Sequence, residues 1–342
     1  MPPTLTADAP RDPGLAAAIR VQASGRVWAI HPRVLAALGA LDNQELWAAT
    51  VAELEARQPN GQAERAGQIA TVPLKGILMP NAGGLFALLF GGSGLGTFQS
   101  ALADAAADPK VSAIVMDIDS PGGMVDQIPE TAAQIRAARA VKPVVAVANG
   151  QADSAAYWLA SQADEIVVTP SGEAGSVGVY QLHRDMSEAH AMRGIAPTLV
   201  SAGKYKVEGN PYEPLGDEAQ AAMQADVDDY YGMFTADVAK GRGVEQSAVQ
   251  QGYGEGRALH ARQAVAAGLA DRVDTLPATL RRVASPRGRA AIDQRRQEAA
   301  LELAEFEPTE PSVAAMELAR SRFARPTYTP EERHRLLAVL AD

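Results

Sequence analysis

The chain has 342 residues, of which 47% are hydrophobic and 21% charged, a composition that excludes an intrinsically disordered protein. Its net charge of −10 argues against nucleic acid as the main partner. The absence of cysteine excludes disulfides, thiolate catalysis and cysteine metal ligands. No secretory signal is visible, and no apolar run approaches the ~20 residues that cross a bilayer, so we expect a cytoplasmic protein without a transmembrane anchor.

Residues 1–66 read as a separate, helical leader. Val34–Leu38 is apolar and Asn43–Arg57 is acidic, and both have helix-like patterns. The polar stretch Gln58–Gly67 is typical of a linker.

The sequence pattern changes at Gln68, where predicted strands and helices begin to alternate. A very apolar stretch, Leu85–Phe90, is bracketed by glycines and is either a buried helical turn or an exposed loop that grips partners. Alternation of strand and helix predicts an α/β fold with a parallel sheet. The elements predicted first are a strand Ile69–Ile77, a helix Thr97–Asp108, a strand Val111–Ile118 and a helix Val125–Ala140.

The stretch from Pro143 to Ala163 is the centre of the pattern. Val144–Ala148 reads as a buried strand, Asn149 and Gly150 break it, and Ala155–Ala160 reads as a helix. Ser154 therefore falls at a helix N-terminus, where free backbone N–H groups favour developing negative charge. The alternative interpretation is that Ser154 is only a helix N-cap.

Further elements follow, and then a tail that differs in composition. Residues 277–342 are rich in proline and in blocks of charge, which is typical of a flexible, helical interaction segment. The predicted elements are strands at Glu165–Thr169, at the end of Gly172–Tyr180 and at Pro197–Val200; helices at Ser187–Arg193 and Asp217–Arg242; an irregular loop Ser201–Pro214; a helix and short strand within Val244–Leu276; and tail helices near Val313–Phe323 and Pro330–Leu340.

Three features together suggest a serine–lysine dyad. They are Ser154, the paired glycines Gly122–Gly123 whose backbone could form an oxyanion hole, and the lysines Lys204 and Lys206 in a glycine-flanked loop. A serine hydroxyl needs a base, and a lysine can serve if burial lowers its pKa toward ~7–8. Such an enzyme needs neither metal nor cofactor.

A serine–histidine–aspartate triad is the competing arrangement. None of the five histidines, His31, His183, His190, His260 and His334, has a motif around it. A metal site built from His183, Asp185 and His190 is a weak alternative, since its spacing matches no common ligand pattern.

The core resembles the S49 family of serine peptidases, which includes signal peptide peptidase A and phage capsid-assembly proteases of the lambda C type. The motifs that carry the resemblance are DIDSPGG (117–123), ADSAAYWLASQADEI (152–166), GSVGV (175–179), SAGKYKVEGNPYEPL (201–215) and GLADRVD (268–274).

This resemblance implies a Clp/crotonase-type fold of repeated ββα units in a protease domain spanning residues 67–276. It implies that Ser154 is the nucleophile and Lys206 the general base. The oxyanion donors fall on Gly122 and Gly123, with the N–H of Ala155 as a second contribution. Val207 stands where the family usually has an aspartate.

The resemblance also implies a role. Val27–Leu38 resembles the segment that precedes the protease in phage head proteins, and the tail resembles their scaffold-like extensions. We therefore expect a phage or prophage prohead protease that forms a homo-oligomeric ring and cleaves scaffold and capsid polypeptides, in the host cytoplasm or in the prohead. The alternatives are a degradative protease similar to signal peptide peptidase, an acyl-CoA hydratase of the crotonase type, and a non-catalytic assembly scaffold.

Overall fold

A computed structural model describes residues 27–30, 63–80 and 94–305. Its strands are β1 (Val27–Ile30), β2 (Glu64–Ala66), β3 (Ile69–Lys75), β4 (Ala113–Ser120), β5 (Gly122–Met124), β6 (Val144–Asp153), β7 (Glu165–Val168), β8 (Glu173–Gly175), β9 (Tyr180–Gln181), β10 (Ala258–His260) and β11 (Arg272–Val273). Its helices are α1 (Leu95–Ala107), α2 (Ile128–Val141), α3 (Ala155–Ala160), α4 (Ser187–Met192), α5 (Asp217–Arg242), α6 (Gln246–Gly252), α7 (Ala261–Ala266), α8 (Leu276–Ala284) and α9 (Pro286–Glu305).

The main sheet has eight strands, and its central pairs are parallel. β6 lies beside β4 along one edge, while its other edge pairs first with β7 and then with β8. The orders β2–β3–α1 and β4–β5–α2 are two successive ββα units. The α/β prediction is thereby confirmed.

One face of the sheet packs on helices that hold α3 in place. Trp158 in α3 stacks on Phe234 in α5, with ring centroids 4.6 Å apart, and its indole N–H donates to Asp237 at 2.8 Å. Such a stacked pair stabilises the fold by about 1 kcal/mol beyond the area it buries. The hydroxyl of Tyr157 donates to the carbonyl of Leu269 at 2.9 Å. The helix that follows Ser154 is therefore fixed on two sides.

The other face of the sheet is covered by the first part of the predicted tail. Val283 of α8 and Ile292 are fully buried against residues such as Val115 and Val145. The carboxylate of Glu165, also fully buried, forms ion pairs with three arginines at 2.7–3.1 Å: Arg272, Arg282 and Arg295. The segment just after residue 276 is thus packed on the sheet, whereas the domain boundaries at 66 and 276 stay predictions.

Three local predictions differ from the structure. Of the leader predicted to be helical, the structure describes residues 27–30 and 63–66. Val27–Ile30 forms a strand, as β-branched and aromatic residues favour, and Glu64–Ala66, in the predicted linker, forms another by pairing with β3. Pro197–Val200 forms no strand, because it lies exposed with no neighbouring strand to pair with. β6 does not end at Asn149 but continues to Asp153, since Gly150, at φ 118°, absorbs an irregularity in the pairing with β4.

Several predictions lie outside the described residues: the leader apart from Val27–Ile30 and residues 63–66, the apolar stretch Leu85–Phe90, and the two later tail helices. Within the described ranges, no helix combines the length and the apolar composition that a membrane crossing requires.

Candidate active site

Ser154 sits at the junction between β6 and α3 in a strained conformation. Its φ and ψ are 54° and −119°, outside the regions that side-chain-bearing residues normally adopt. Conformations of this kind cost roughly 1–3 kcal/mol and concentrate at functional sites. The neighbouring backbone holds it there: its N–H donates to the carbonyl of Gly175 at 2.7 Å, and its carbonyl accepts from Trp158 at 2.9 Å.

The side chain of Ser154 does not cap the helix. No hydrogen bond joins its hydroxyl to the first backbone N–H groups of α3, so the N-cap interpretation is not supported. The hydroxyl, in a residue that is 1% exposed, donates to the carbonyl of Gly178 at 3.3 Å instead. The N–H of Ala155, as the first helical residue, has no acceptor within the helix.

The predicted oxyanion glycines lie beside this junction. β4 and β6 pair Ser120 with Ala152, and β5, which follows at once, packs against α3. The N–H of Gly122 donates to the Ser120 hydroxyl at 3.2 Å. A Cβ on Gly123 would fall 1.9 Å from the carbonyl oxygen of Leu78, so this position requires glycine. The structure thus brings Ser154, Ala155, Gly122 and Gly123 together.

The structure does not bring Lys204 or Lys206 into hydrogen-bond contact with Ser154. Lys206 is exposed, and within the described residues no hydrogen bond joins its amine to Ser154. The ammonium of Lys204 donates to Glu218 at 2.8 Å and to the hydroxyl of Tyr205 at 2.7 Å. The hydrogen bond to Glu218, and then that to Tyr205, raise the pKa of Lys204, which favours its charged form. Lys204 is therefore the poorer candidate for a base.

A buried carboxyl group next to Ser154, with the partly exposed Glu173 near it, was missed by the sequence analysis. Asp153 is fully buried, and neither of its oxygens has a hydrogen-bond donor. Burial first, and then the charge of Glu173, raise the pKa of Asp153 to about 7. A carboxyl group with a raised pKa keeps its proton to higher pH, so Asp153 is held in its neutral form over a wider pH range than an exposed aspartate. The signal in the sequence was an acidic residue at the end of a buried strand.

None of the histidines in the described ranges is hydrogen-bonded to the Ser154 hydroxyl, which donates to Gly178. His183 is 3.0 Å from the carbonyl of Asn210, His190 packs edge-on against Tyr212, and His260 lies 3.9 Å from Glu173. His31 and His334 lie outside the described residues. In the ranges that the structure describes, no three His, Asp or Glu side chains are grouped to hold a metal ion.

Comparisons with known proteins point to one family. Residues 136–288 match the family model "Peptidase family S49". The chain is 35% identical over 203 residues to "Capsid assembly protease C" of Escherichia phage lambda, a match covering 59% of this chain and 46% of that protein. It is 35% identical over 205 residues to "Head-tail preconnector protein GP5" of Enterobacteria phage P21, covering 59% and 40%.

"Protease 4" of Salmonella typhi is 33% identical over 181 residues, which cover 53% of this chain and 28% of that protein. The chain thus spans less than half the length of these three relatives. The S49 resemblance predicted from the sequence motifs is confirmed by these matches.

Proposed function

We propose that this chain is a serine endopeptidase with Ser154 as the nucleophile and Lys206 as the general base. The observation that carries the proposal is the strained backbone of Ser154 at a strand-to-helix junction beside two glycines, within the S49-matching segment. A sharp turn of this kind presents a hydroxyl to substrate with backbone N–H groups close by.

The proposed reaction has two steps. The Ser154 oxygen attacks the peptide carbonyl carbon while an uncharged Lys206 amine takes the hydroxyl proton. The oxyanion is held by the N–H groups of Gly123 and Ala155, while Gly122, whose N–H is bonded to Ser120, shapes the turn. The ammonium returns its proton to the leaving amine as the peptide bond breaks, and water then hydrolyses the acyl-enzyme.

Assembly of several copies is the proposed source of the lysine. Lys206 belongs to a segment, here called the lysine arm (residues 182–216), that carries exposed apolar side chains such as Met192 (83% exposed) and Val200 (94%). The arm joins α5 at Asp217, and the α5 residue anchored on Trp158 is Phe234, about 26 Å further along the helix. We propose that arms pack between protomers of a ring and bring Lys206 of one protomer to Ser154 of the next.

The biological role proposed is that of a prohead protease that cleaves scaffold and capsid polypeptides during head maturation. Its support is the similarity to two phage proteins, one of them named a capsid assembly protease. The similarity to Protease 4 favours a second candidate, a degradative peptidase of the host. Co-expression with phage capsid and scaffold proteins separates the two candidates, since only the first role predicts defined cleavage products of those proteins.

A labelling and cleavage experiment tests the mechanism. A fluorophosphonate should label the wild type but not Ser154→Ala, and Lys206→Ala should cleave a peptide at least about 10³-fold more slowly. Lys204→Ala is the matched control and should keep its activity. If protomers share sites, mixing the inactive Ser154→Ala and Lys206→Ala proteins restores cleavage. Undiminished cleavage by Lys206→Ala would refute the assignment of the base.

A further inference from the structure

The strand β1 lies between two strands that flank Ser154. It runs antiparallel to both, pairing Ala29 with Gly123 of β5 on one side and Trp28 with Tyr180 of β9 on the other. These three strands form a sheet separate from the main one. A short segment of the leader, far from residue 154 in sequence, is thus placed at the candidate active site.

Both flanking strands belong to that site. β5 contains the proposed oxyanion glycines. β9 begins two residues after Gly178, whose carbonyl accepts the hydrogen bond from the Ser154 hydroxyl. A chain segment that pairs with β5 and β9 at once therefore runs past the proposed nucleophile.

One backbone edge of β5 can form hydrogen bonds with a segment that pairs in this way. The carbonyl of Gly122 and the N–H of Met124 are bonded to Leu78, at 2.9 and 3.0 Å. Because backbone groups alternate along a strand, the N–H and carbonyl of Gly123 point to the opposite edge, where β1 lies. Without β1 this edge would be open, and an extended peptide can bind such an edge through main-chain hydrogen bonds. Ile30, opposite Gly122, is 1% exposed, so the apolar side chain at this end of β1 is buried in the protein.

We propose that Val27–Ile30 is a built-in occupant of the substrate groove, and that it must leave before an external polypeptide binds. The proposal rests on the proposed peptidase function. It also assigns the substrate class: unfolded segments that bind extended and antiparallel to β5, with an apolar residue opposite Gly122. The leader then competes with substrate from within the same chain, at an effective concentration of order mM.

A reversible cross-link tests the proposal in the full-length chain. Trp28→Cys and Met124→Cys introduce thiols at directly opposed positions of β1 and β5, in a chain with no cysteine of its own. Opposed residues of an antiparallel pair have the Cβ separation that a disulfide needs. The pair is made in the Ser154→Ala background, and the readout is binding of a labelled peptide VWAIHP by fluorescence anisotropy, which does not depend on catalysis.

The reduced protein should bind the peptide, and the oxidised protein should bind it at least about tenfold more weakly, since the tethered strand blocks the groove. The two single-cysteine proteins are controls and should respond to neither oxidant nor reductant. Equal binding in both states, no binding in either state, or failure of the thiols to cross-link would each overturn the proposal. Failure of the peptidase function is read separately, as absence of cleavage and fluorophosphonate labelling in the wild type.

A second variant acts in the opposite direction. Ala29→Pro removes the N–H that pairs with Gly123 and should weaken the hold of β1 on the groove. Peptide binding should tighten severalfold relative to Ala29→Val, which keeps the strand. Unchanged or weaker binding, or loss of folding in Ala29→Pro alone, would assign β1 to the scaffold instead.

Discussion

Asp153 is the residue whose protonation should make the stability of this protein depend on pH. Its pKa is raised to about 7 in the folded protein, chiefly by burial, against 3.8 as its ordinary value. The folded state therefore keeps a proton that the unfolded chain has already lost, and this group destabilises the fold as pH rises from about 4 to about 7. Each unit of raised pKa corresponds to roughly 1.4 kcal/mol.

Asp153→Asn removes this titration while keeping the size of the side chain. We expect the wild-type Tm to fall between pH 5 and pH 8 and that of Asp153→Asn to fall less, measured by differential scanning calorimetry. The exposed Asp229→Asn is the control and should follow the wild type. Parallel pH profiles of Tm for wild type and Asp153→Asn would contradict the raised pKa of Asp153.

A second prediction concerns a single substitution at Gly123. A methyl group there would lie 1.9 Å from the carbonyl oxygen of Leu78, so Gly123→Ala must displace β5 and should abolish fluorophosphonate labelling. The free energy of unfolding should fall by about 1–3 kcal/mol, as for other overpacked sites. Gly96→Ala, where a Cβ meets nothing within 4 Å, should be neutral or slightly stabilising. Normal labelling of Gly123→Ala would show that β5 is not part of the site.

Among the elements, α8 and α9 depend on one buried carboxylate. Glu165 of β7 is paired with Arg282 of α8 and Arg295 of α9, and its side chain is fully buried. Glu165→Ala leaves these arginines without their partner and should lower the free energy of unfolding by about 3–5 kcal/mol. Arg295→Ala, whose side chain is 38% exposed, should cost much less.

Limited proteolysis shows which segment of the Glu165→Ala variant unfolds locally. We expect cleavage after residue 276 to accelerate in Glu165→Ala while the segment before it stays resistant, because the other face of the sheet keeps its own packing. Uniform loss of resistance along the chain would mean that the whole fold depends on this carboxylate.

Elements were predictable where the pattern is local. The helix Ala155–Ala160 and the helix Asp217–Arg242 have the bounds that the sequence predicts, since apolar periodicity and turn residues mark their ends. Pro197–Val200 was wrong because β-type residues alone do not make a strand without a partner. The position of β1 could not be predicted, because its pairing is with residues some ninety and some one hundred and fifty positions away.

At the scale of the whole molecule, the exposed apolar residues of the lysine arm predict self-association. Val200→Asp and Met192→Asp should convert the assembled protein to monomers in sedimentation experiments and abolish cleavage without lowering the Tm. Val141→Asp, an exposed apolar position at the end of α2, is the control and should leave assembly intact. An unchanged sedimentation profile of the arm variants would exclude the arm as the interface.

The residues of the candidate site, like the elements, were predictable only where the sequence pattern is local. Ser154 and the glycines were predictable because strand-to-helix turns place them within a short reach of one another. The placement of Lys206 was not, because spacing along the chain does not encode where an exposed loop lies relative to Ser154. The carboxyl pair of Asp153 and Glu173 needs the register of two neighbouring strands, which only the folded sheet supplies.

The anchoring of α5 on Trp158 has a mechanical consequence. The helix is held at one point by the stacked pair of Trp158 and Phe234, and its N-terminal end continues into the lysine arm. Over about 26 Å, a tilt of about 10° moves that end by about 4–5 Å, which exceeds the length of a hydrogen bond. If Lys206 is the base as proposed, a rotation of this size at the stacked pair changes the distance between its amine and Ser154 by more than the length of a hydrogen bond.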